Sequence, residues 1–444
     1  MKLNKKVFMA SMLLGMIAPL AGCEPKDDRI QVNFWHTMGK TIIARLTPMI
    51  EDFEAKNPDI HIIQTPQGGY GDIKTKIETA IAAGDVPTMA FCYPDHVANY
   101  LTSNAVVKLD EYIDSETLGF TEEDGLVDDF IEAYWNEGKS YDVEGTYSVP
   151  FYKSTEVMFY NKTEFNKYGW QVPTTWAELE TLCATIKATA GHEEDTPFGY
   201  DSDANLFITM CEQYGIPYTT NTNVVNPEDH FLFKNDQAKA MVERIKGWYT
   251  NKWFTSQGTN ADGSYTSTLF KDKKLLMTIG STGGTSYNYS DNFEIGVARI
   301  PGAEATVEGG NNHVIMQGPS ICFFRRQTPE QKEAAWKFYK YCVNAINGAD
   351  FASVTGYSPS RRSSFDTDFW QDFMDSDLTG SDALVRTTVD FNANLMDSYF
   401  VSPTFKGSAT ARDEVGGTIS TFCTGAKTLD EAFNDAFDNC VFAA

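Results

Sequence analysis

The sequence predicts an α/β fold made of two α/β regions, and three observations support this prediction. Apolar strands and amphipathic helices alternate over residues 30–93, which is the pattern of a parallel sheet with crossover helices. A second group of strand-like runs begins near residue 147 and is followed by a capped helix. The length of 444 residues suits two or three domains at roughly 150 residues each.

The first region opens with a buried strand over Ile30–Trp35. Apolar residues between 42 and 53 then recur at helical spacing. Three further elements follow: a strand over 60–65, a helix over 73–81 and a strand over 88–93. Ligands bind at the carboxyl ends of the strands in such sheets, so we expect one crevice where these strands end. The residues concerned are 35–36, 67–70 and 93–95.

The second region contains strand-like runs over 147–151 and 157–160, and then a helix that opens at Thr174-Thr175-Trp176. Glu178 stands three residues after Thr175, which is the spacing of a capping box. Two later segments also have the apolar periodicity of helices, and they span residues 329–345 and 428–442.

The amino-terminal segment has the plan of an export signal. A lysine-rich start precedes an apolar stretch over 7–20, which is too short for a membrane-spanning helix because crossing takes ~20 residues. The next residues, Leu20-Ala21-Gly22-Cys23, resemble the lipobox of bacterial lipoproteins. We therefore expect a signal peptide over 1–22, lipidation of Cys23 and a tether over 23–29. The alternative is an ordinary signal peptide in which Cys23 is incidental.

Charge and cysteine usage restrict the partners and sites. The formal net charge is −25, from 36 basic and 61 acidic residues, and such a surface repels nucleic acid and anionic lipid.

With Cys23 lipidated, an odd number of the eight cysteines remains, so they cannot all pair. No CxxC or close Cys/His set of the zinc type occurs. We expect neither metal nor cofactor, and buried free thiols, with one distant disulfide as the alternative.

Several motifs occur in the order and at the spacing of one known family. They are FWHTMG at 34–39, GGY at 68–70, AAGDVP at 82–87, VPF at 149–151, FYNK at 159–162, PTTWAEL at 173–179, MTIGS at 277–281, AAWKF at 334–338 and TGYSPSR at 355–361. In these motifs the chain resembles the extracellular solute-binding proteins of ABC importers, within the carbohydrate-binding group. Its opening is most similar to the glycerol-3-phosphate-binding branch.

This resemblance implies a two-lobed periplasmic-binding-protein-like fold of type II, with three inter-lobe crossings and a ligand cleft between the lobes. The expected boundaries are 30–151 plus 281–323 for lobe 1, and 152–280 plus 324–444 for lobe 2. It implies a monomeric, lipid-anchored protein on the outer face of the cell membrane. Such a protein captures a sugar or related polyol and delivers it to the transmembrane permease subunits of an ABC importer, without catalysis.

A sugar site needs polar side chains and flat aromatic rings in a concave pocket. His36 follows the first strand, and Ser281 and Thr282 begin a turn whose N–H groups suit hydroxyls. Instead of contacting a ligand, His36 could cap the next helix, and the turn could be a plain hinge. The resemblance implies five more contacts, at Tyr70, Asp95, Ser154, Gly318 and Tyr357. Surface packing is the alternative for Tyr70 and helix capping that for Asp95, while Arg361 is expected to pair with a carboxylate.

Two departures from the branch count against a phosphorylated polyol, although such a ligand stays open. Residues 200–205 lack the tryptophans of the branch's site, and Lys406-Gly407 is followed by serine, so that the first arginine is Arg412. A neutral sugar fits at least as well. The rival functions are a surface glycoside hydrolase with two carboxylates and a receptor or adhesin without transport on the same fold. No GxSxG, HExxH or P-loop motif favours an enzyme.

Overall fold

The computed structural model describes residues 27–444, so the expected signal peptide and Cys23 lie outside the described residues. The strands are β1 (Ile30–His36), β2 (Ile60–Pro66), β3 (Met89–Cys92), β4 (Val149–Pro150), β5 (Glu156–Asn161), β6 (Thr196–Tyr200), β7 (Phe254–Ser256), β8 (Leu275–Ser281), β9 (Ile295–Ala298), β10 (Val314–Ile315), β11 (Ser320–Phe323) and β12 (Tyr399–Phe400).

The α-helices are α1 (Lys40–Lys56), α2 (Tyr70–Ala83), α3 (Pro94–Thr102), α4 (Asp110–Ile113), α5 (Glu132–Glu137), α6 (Lys162–Tyr168), α7 (Trp176–Ala188), α8 (Asp203–Tyr214), α9 (Asp236–Thr250), α10 (Thr266–Lys271), α11 (Thr285–Asn288), α12 (Pro329–Cys342), α13 (Ala345–Thr355), α14 (Asp368–Asp375), α15 (Gly380–Ala393), α16 (Ser408–Thr424) and α17 (Leu429–Ala443). Within residues 27–444, no helix is both long enough and apolar enough to cross a bilayer.

The first sheet has the strand order β2-β1-β3-β11-β4. Strand β1 runs parallel to β2 and β3, which confirms the expected strand–helix alternation over residues 30–93. Alternate residues of β1, such as Val32 and Phe34, are fully buried. They belong to one core with Phe91 of β3 and with Ile73 and Ile77 of α2, so the strands and the helix between them are fixed relative to one another.

The second sheet has the strand order β7-β6-β8-β5-β9 and its own core. Helices α7 and α9 meet in that core through Trp176 and Trp248, whose rings stack at 5.6 Å. The predicted capping box at the start of α7 is confirmed, since the N–H of Glu178 donates to the Thr175 hydroxyl at 3.2 Å. Two sheets with separate cores give the two-lobed α/β architecture expected from the sequence.

Three chain segments lie side by side where the two sheets meet. Lys153 exchanges backbone hydrogen bonds with Ser358 (3.1 and 2.6 Å), and Ser154 exchanges them with Gln317 (2.9 and 2.7 Å). The fully buried Lys153 ammonium pairs with Glu137 and donates to the Ser320 hydroxyl at 3.0 Å. The ion pair fixes the start of the segment that leads from β4 to β5, because removing one partner would leave a buried charge without compensation.

The packing differs from the expected lobe boundaries at several elements, of which β9 and α12 are the clearest. Strand β9, expected in lobe 1, pairs with β5 of the second sheet. Helix α12, expected in lobe 2, packs on β1, with the Phe338 ring 5.9 Å from that of Phe34. The apolar face of α12 was visible in the sequence, but which sheet it covers depends on tertiary contacts.

The cysteines of the described segment confirm the expectation of free thiols. All of them are buried and none is in a disulfide: Cys92, Cys183, Cys211, Cys322, Cys342, Cys423 and Cys440. They fill core space as small apolar side chains.

Candidate functional site

A cavity of about 590 Å³ lies between the two sheets, and we call it the cleft. Tyr70, at the start of α2, and Tyr93, directly after β3, form its wall on the first lobe. The opposite wall includes Ser281 at the end of β8, the start of α8 and part of α16. The cleft thus lies where parallel strands end, as expected for this class of sheet. Its volume is within the usual range of ligand pockets, roughly 300–1,000 Å³.

The first-lobe wall is aromatic. The rings of Tyr70 and Tyr93 stack with centroids 3.9 Å apart and planes inclined by 15°. Burial raises the pKa of Tyr70, and the nearby phenols of Tyr93 and Tyr357 add to that effect. The Tyr70 hydroxyl is buried, and Thr37 and Tyr93 are its polar neighbours.

Tyr357 lies beside this wall, against the turn that follows β8. Its ring is so close to Gly283 that a Cβ at position 283 would come within 2.5 Å of it. Burial raises the pKa of Tyr357 to about 12, with a smaller contribution from Tyr287. A glycine at 283 is therefore what lets the Tyr357 ring pack directly on this turn.

The second-lobe wall holds a buried carboxylate network centred on Glu156. The Glu156 side chain accepts hydrogen bonds from the Tyr200 hydroxyl and from the Asn205 amide, the latter at 2.7 Å. Burial outweighs these bonds and raises the pKa of Glu156 to about 7. The Arg412 guanidinium donates to the Asn205 side chain and lies 5.8 Å from the centroid of the Tyr93 ring. One cation thus links both walls of the cleft.

Two further carboxylates lie at the start of α8. Burial raises the pKa of Asp203 to about 6, and one of its oxygens is buried with no hydrogen-bond partner in the described chain. Burial also raises the pKa of Asp201, although Thr266 donates to it through both its N–H (2.8 Å) and its hydroxyl (2.6 Å). In the described range, no group of three or more His, Cys, Asp and Glu is arranged to hold a metal ion.

The structure brings four of the predicted residues to this region. Tyr70 and Ser281 line the cleft, and Tyr357 adjoins them. Asp95, at the start of α3, lines a smaller neighbouring cavity, and its carboxylate accepts the N–H of His96 at 2.9 Å.

His36 lies inside the first lobe instead of on the cleft wall. Its side chain is fully buried, its Nδ1 accepts the N–H of Met38 at 3.2 Å, and its Nε2 lies 3.3 Å from the Gln64 amide oxygen. Burial lowers the pKa of His36 to about 4. The surroundings thus favour the alternative of a satisfied structural histidine.

Three other predicted contacts belong to the junction between the sheets. Ser154 is buried, and its hydroxyl accepts from that of Ser281 at 3.2 Å. Thr282 is fully buried, and its N–H donates to the carbonyl of Thr155 at 2.9 Å. Gly318 has φ +92°, and a Cβ there would lie 2.5 Å from the carbonyl oxygen of Tyr152. These residues were expected at the ligand, but close packing of the junction accounts for them.

Sequence reasoning left out Glu156, Asn205 and Arg412. Glu156 begins an otherwise apolar strand, and a carboxylate in such a run is a signal that could have been used. Arg412 was noted as displaced from the family's arginine position, but it lies one turn into α16 and still reaches the cleft. Arg361 is fully buried and 3.4 Å from Asp129, which confirms its expected role as a structural partner of a carboxylate.

Comparison with known proteins gives consistent results. Residues 48–376 match the family model of bacterial extracellular solute-binding proteins. The chain is 25% identical over 369 residues to the sn-glycerol-3-phosphate-binding periplasmic protein UgpB of Escherichia coli (strain K12), with 80% of each chain covered.

Two solved structures show the same fold. The ABC substrate-binding protein Lmo0181 of Listeria monocytogenes, in complex with cycloalternan, has a TM-score of 0.75 at 19% identity and covers 93% of this chain and 98% of its own. UgpB of Mycobacterium tuberculosis, in complex with glycerophosphocholine, has a TM-score of 0.73 at 16% identity with the same coverage of 93% and 98%.

Proposed function

Because this chain belongs to the family of bacterial extracellular solute-binding proteins, we propose that it captures a sugar or related polyol and delivers it unchanged to an ABC importer. The observation that carries this proposal is the cleft itself, where stacked tyrosines face a network of buried polar groups. Aromatic rings pack against the C–H faces of a sugar, while carboxylates, amides and guanidinium groups bind its hydroxyls.

We assign the ligand contacts to both walls of the cleft. Tyr70, Tyr93 and Tyr357 supply the rings, and Arg412 and Ser281 supply polar groups from the second lobe. Four further proposals rest on the sequence: lipid anchoring through Cys23, three crossings between the lobes, a monomer, and delivery to permease subunits at the outer face of the membrane.

The charges of the cleft favour a neutral ligand over a phosphorylated one. Among the described residues that line it, Arg412 is accompanied by the carboxylates of Glu156, Asp201, Asp203 and Asp413, of which Asp413 also pairs with Lys74. A phosphate group would approach these carboxylates at a cost in electrostatic free energy. UgpB of E. coli is named for sn-glycerol 3-phosphate, so both ligand classes belong in the test.

A thermal-unfolding screen with neutral sugars, polyols and their phosphates tests the proposal. A ligand at 100 times its Kd adds about 2.7 kcal/mol to the free energy of unfolding. We expect one neutral sugar or oligosaccharide to raise the melting temperature and to be recovered intact by chromatography. Recovery of cleaved sugar would instead indicate a hydrolase, and no response to any solute would indicate a receptor or adhesin.

A further inference from the structure

A second, smaller cavity lies beside the cleft, and we call it the side pocket. Its volume is about 70 Å³. It shares Tyr93, Gln317 and Arg412 with the wall of the cleft, so the two cavities adjoin at these residues. A substituent of a ligand in the cleft could therefore extend into it.

The polar groups of the side pocket are incompletely hydrogen-bonded. The hydroxyls of Thr219 and Ser402 are buried and have no partner within the described part of the chain. The Asp95 carboxylate accepts the N–H of His96 through one oxygen, which leaves its other oxygen as an acceptor. These three polar atoms belong to residues that line one cavity, so a single bound group could complete the hydrogen bonding of all three.

The rest of the wall mixes polar side chains, Glu137 and Arg412 among them, with an aliphatic part formed by Ile208, Ile315, Met316 and Val401. Since one water molecule needs roughly 10–15 Å³ of such accessible volume, the side pocket has room for several waters or for a small substituent. A hydroxymethyl group would place only a hydroxyl against these aliphatic side chains. A substituent with an N–H, a carbonyl and a methyl end would match the acceptor, the two donors and the apolar wall together.

We propose that the side pocket binds the acetamido group of an N-acetylated hexosamine whose ring lies in the cleft. This inference rests on the proposed function of sugar capture. The amide N–H donates to Asp95, the carbonyl oxygen accepts from Thr219 or Ser402, and the methyl group packs against the aliphatic wall.

Calorimetric titration of the intact protein with three matched pairs tests the proposal. The pairs are N-acetylglucosamine with glucose, N-acetylgalactosamine with galactose, and diacetylchitobiose with cellobiose. We expect the acetylated member of at least one pair to bind about tenfold more tightly or better, as two added hydrogen bonds allow. The double variant Thr219→Val, Ser402→Ala should lose most of this preference and leave the affinity for the parent sugar within about threefold.

Ser360→Ala is the matched control, because Ser360 also has a buried hydroxyl without a partner in the described chain but lines neither cavity. This variant should prefer the acetylated sugar over the parent sugar by the same factor as the wild type. Sugar binding with no acetyl preference, or a preference that the double variant keeps, overturns the side-pocket assignment and leaves sugar capture intact. If neither these sugars nor the wider screen bind, sugar capture itself is overturned and the inference with it.

Discussion

A single residue, Glu156, makes the stability of the protein depend on pH. Burial raises its pKa from the ordinary 4.5 to about 7, so the folded protein favours the protonated carboxyl. Its favourable contribution to stability is therefore complete below about pH 4.5 and is lost as the pH rises through about 7. We predict that, relative to Glu156→Gln, the wild-type free energy of unfolding falls by up to ~3 kcal/mol between about pH 5 and pH 8.

Urea unfolding of both proteins across this pH range measures the effect. His36 contributes with the opposite sign, because burial lowers its pKa to about 4, but it is present in both proteins and cancels in the difference. Parallel stability curves would show that Glu156 is ionised in the folded protein at neutral pH.

Tyr357 tests the aromatic part of the binding site. We predict that Tyr357→Ala abolishes the ligand-induced rise in melting temperature, because the ring adjoins Tyr70 and Tyr93 at the cleft. The loss of stability without ligand should stay within about 2 kcal/mol, since Tyr357 is only partly buried. Tyr357→Phe is the control that keeps the ring, and it should keep most of the shift. An unchanged affinity in the alanine variant would remove Tyr357 from the site.

Among the helices and strands, the sequence predicted those features that depend only on neighbouring residues. The strands and helices over 30–93 and the cap at Thr175 follow from periodicity and spacing, and both are present. The lobe of β9 and the reach of Arg412 to Asn205 depend on contacts between distant parts of the chain. Periodicity carries no information about such contacts, so the sequence located one wall of the cleft better than the other.

Helix α16 carries Arg412 and is positioned by its close packing on α8. A Cβ at Gly416 would lie 3.0 Å from the backbone nitrogen of Ala204, whereas nothing lies within 4 Å of a Cβ at Gly417. We predict that Gly417→Ala stabilises the protein through helix propensity by up to ~1 kcal/mol, while Gly416→Ala forces the helices apart. The free energies of unfolding should differ by about 1–3 kcal/mol in favour of Gly417→Ala. Equal values would show that the two helices adjust without cost.

In the whole molecule, two polar contacts join one lobe to the other. Lys74 on α2 pairs with Asp413 on α16 at 2.8 Å. The N–H of Gly407 donates to the Asn99 side chain at 3.3 Å. Both contacts join the first lobe to the second, so they favour this closed arrangement of the lobes before any ligand arrives.

We predict that Lys74→Gln shifts the unliganded protein toward an open arrangement. Partly exposed ion pairs contribute about 0–1 kcal/mol, so the ratio of closed to open molecules should fall by up to about fivefold. Fluorescence energy transfer between one dye on each lobe measures this ratio. Raising the NaCl concentration from about 0.05 to about 0.5 M should open the wild type in the same way, because salt screens the pair. It should have little effect on the variant.

Lys239→Gln is the matched control for this prediction. Lys239 pairs with Asp430 at 2.6 Å, but both residues belong to the second lobe, so the loss of this pair should leave the transfer efficiency unchanged. A saturating ligand should close the wild type and the Lys74 variant to the same final efficiency, because the pair biases the equilibrium without forming the site. If Lys74→Gln has the wild-type efficiency at low salt, the backbone contact at Gly407 and the ligand alone determine closure.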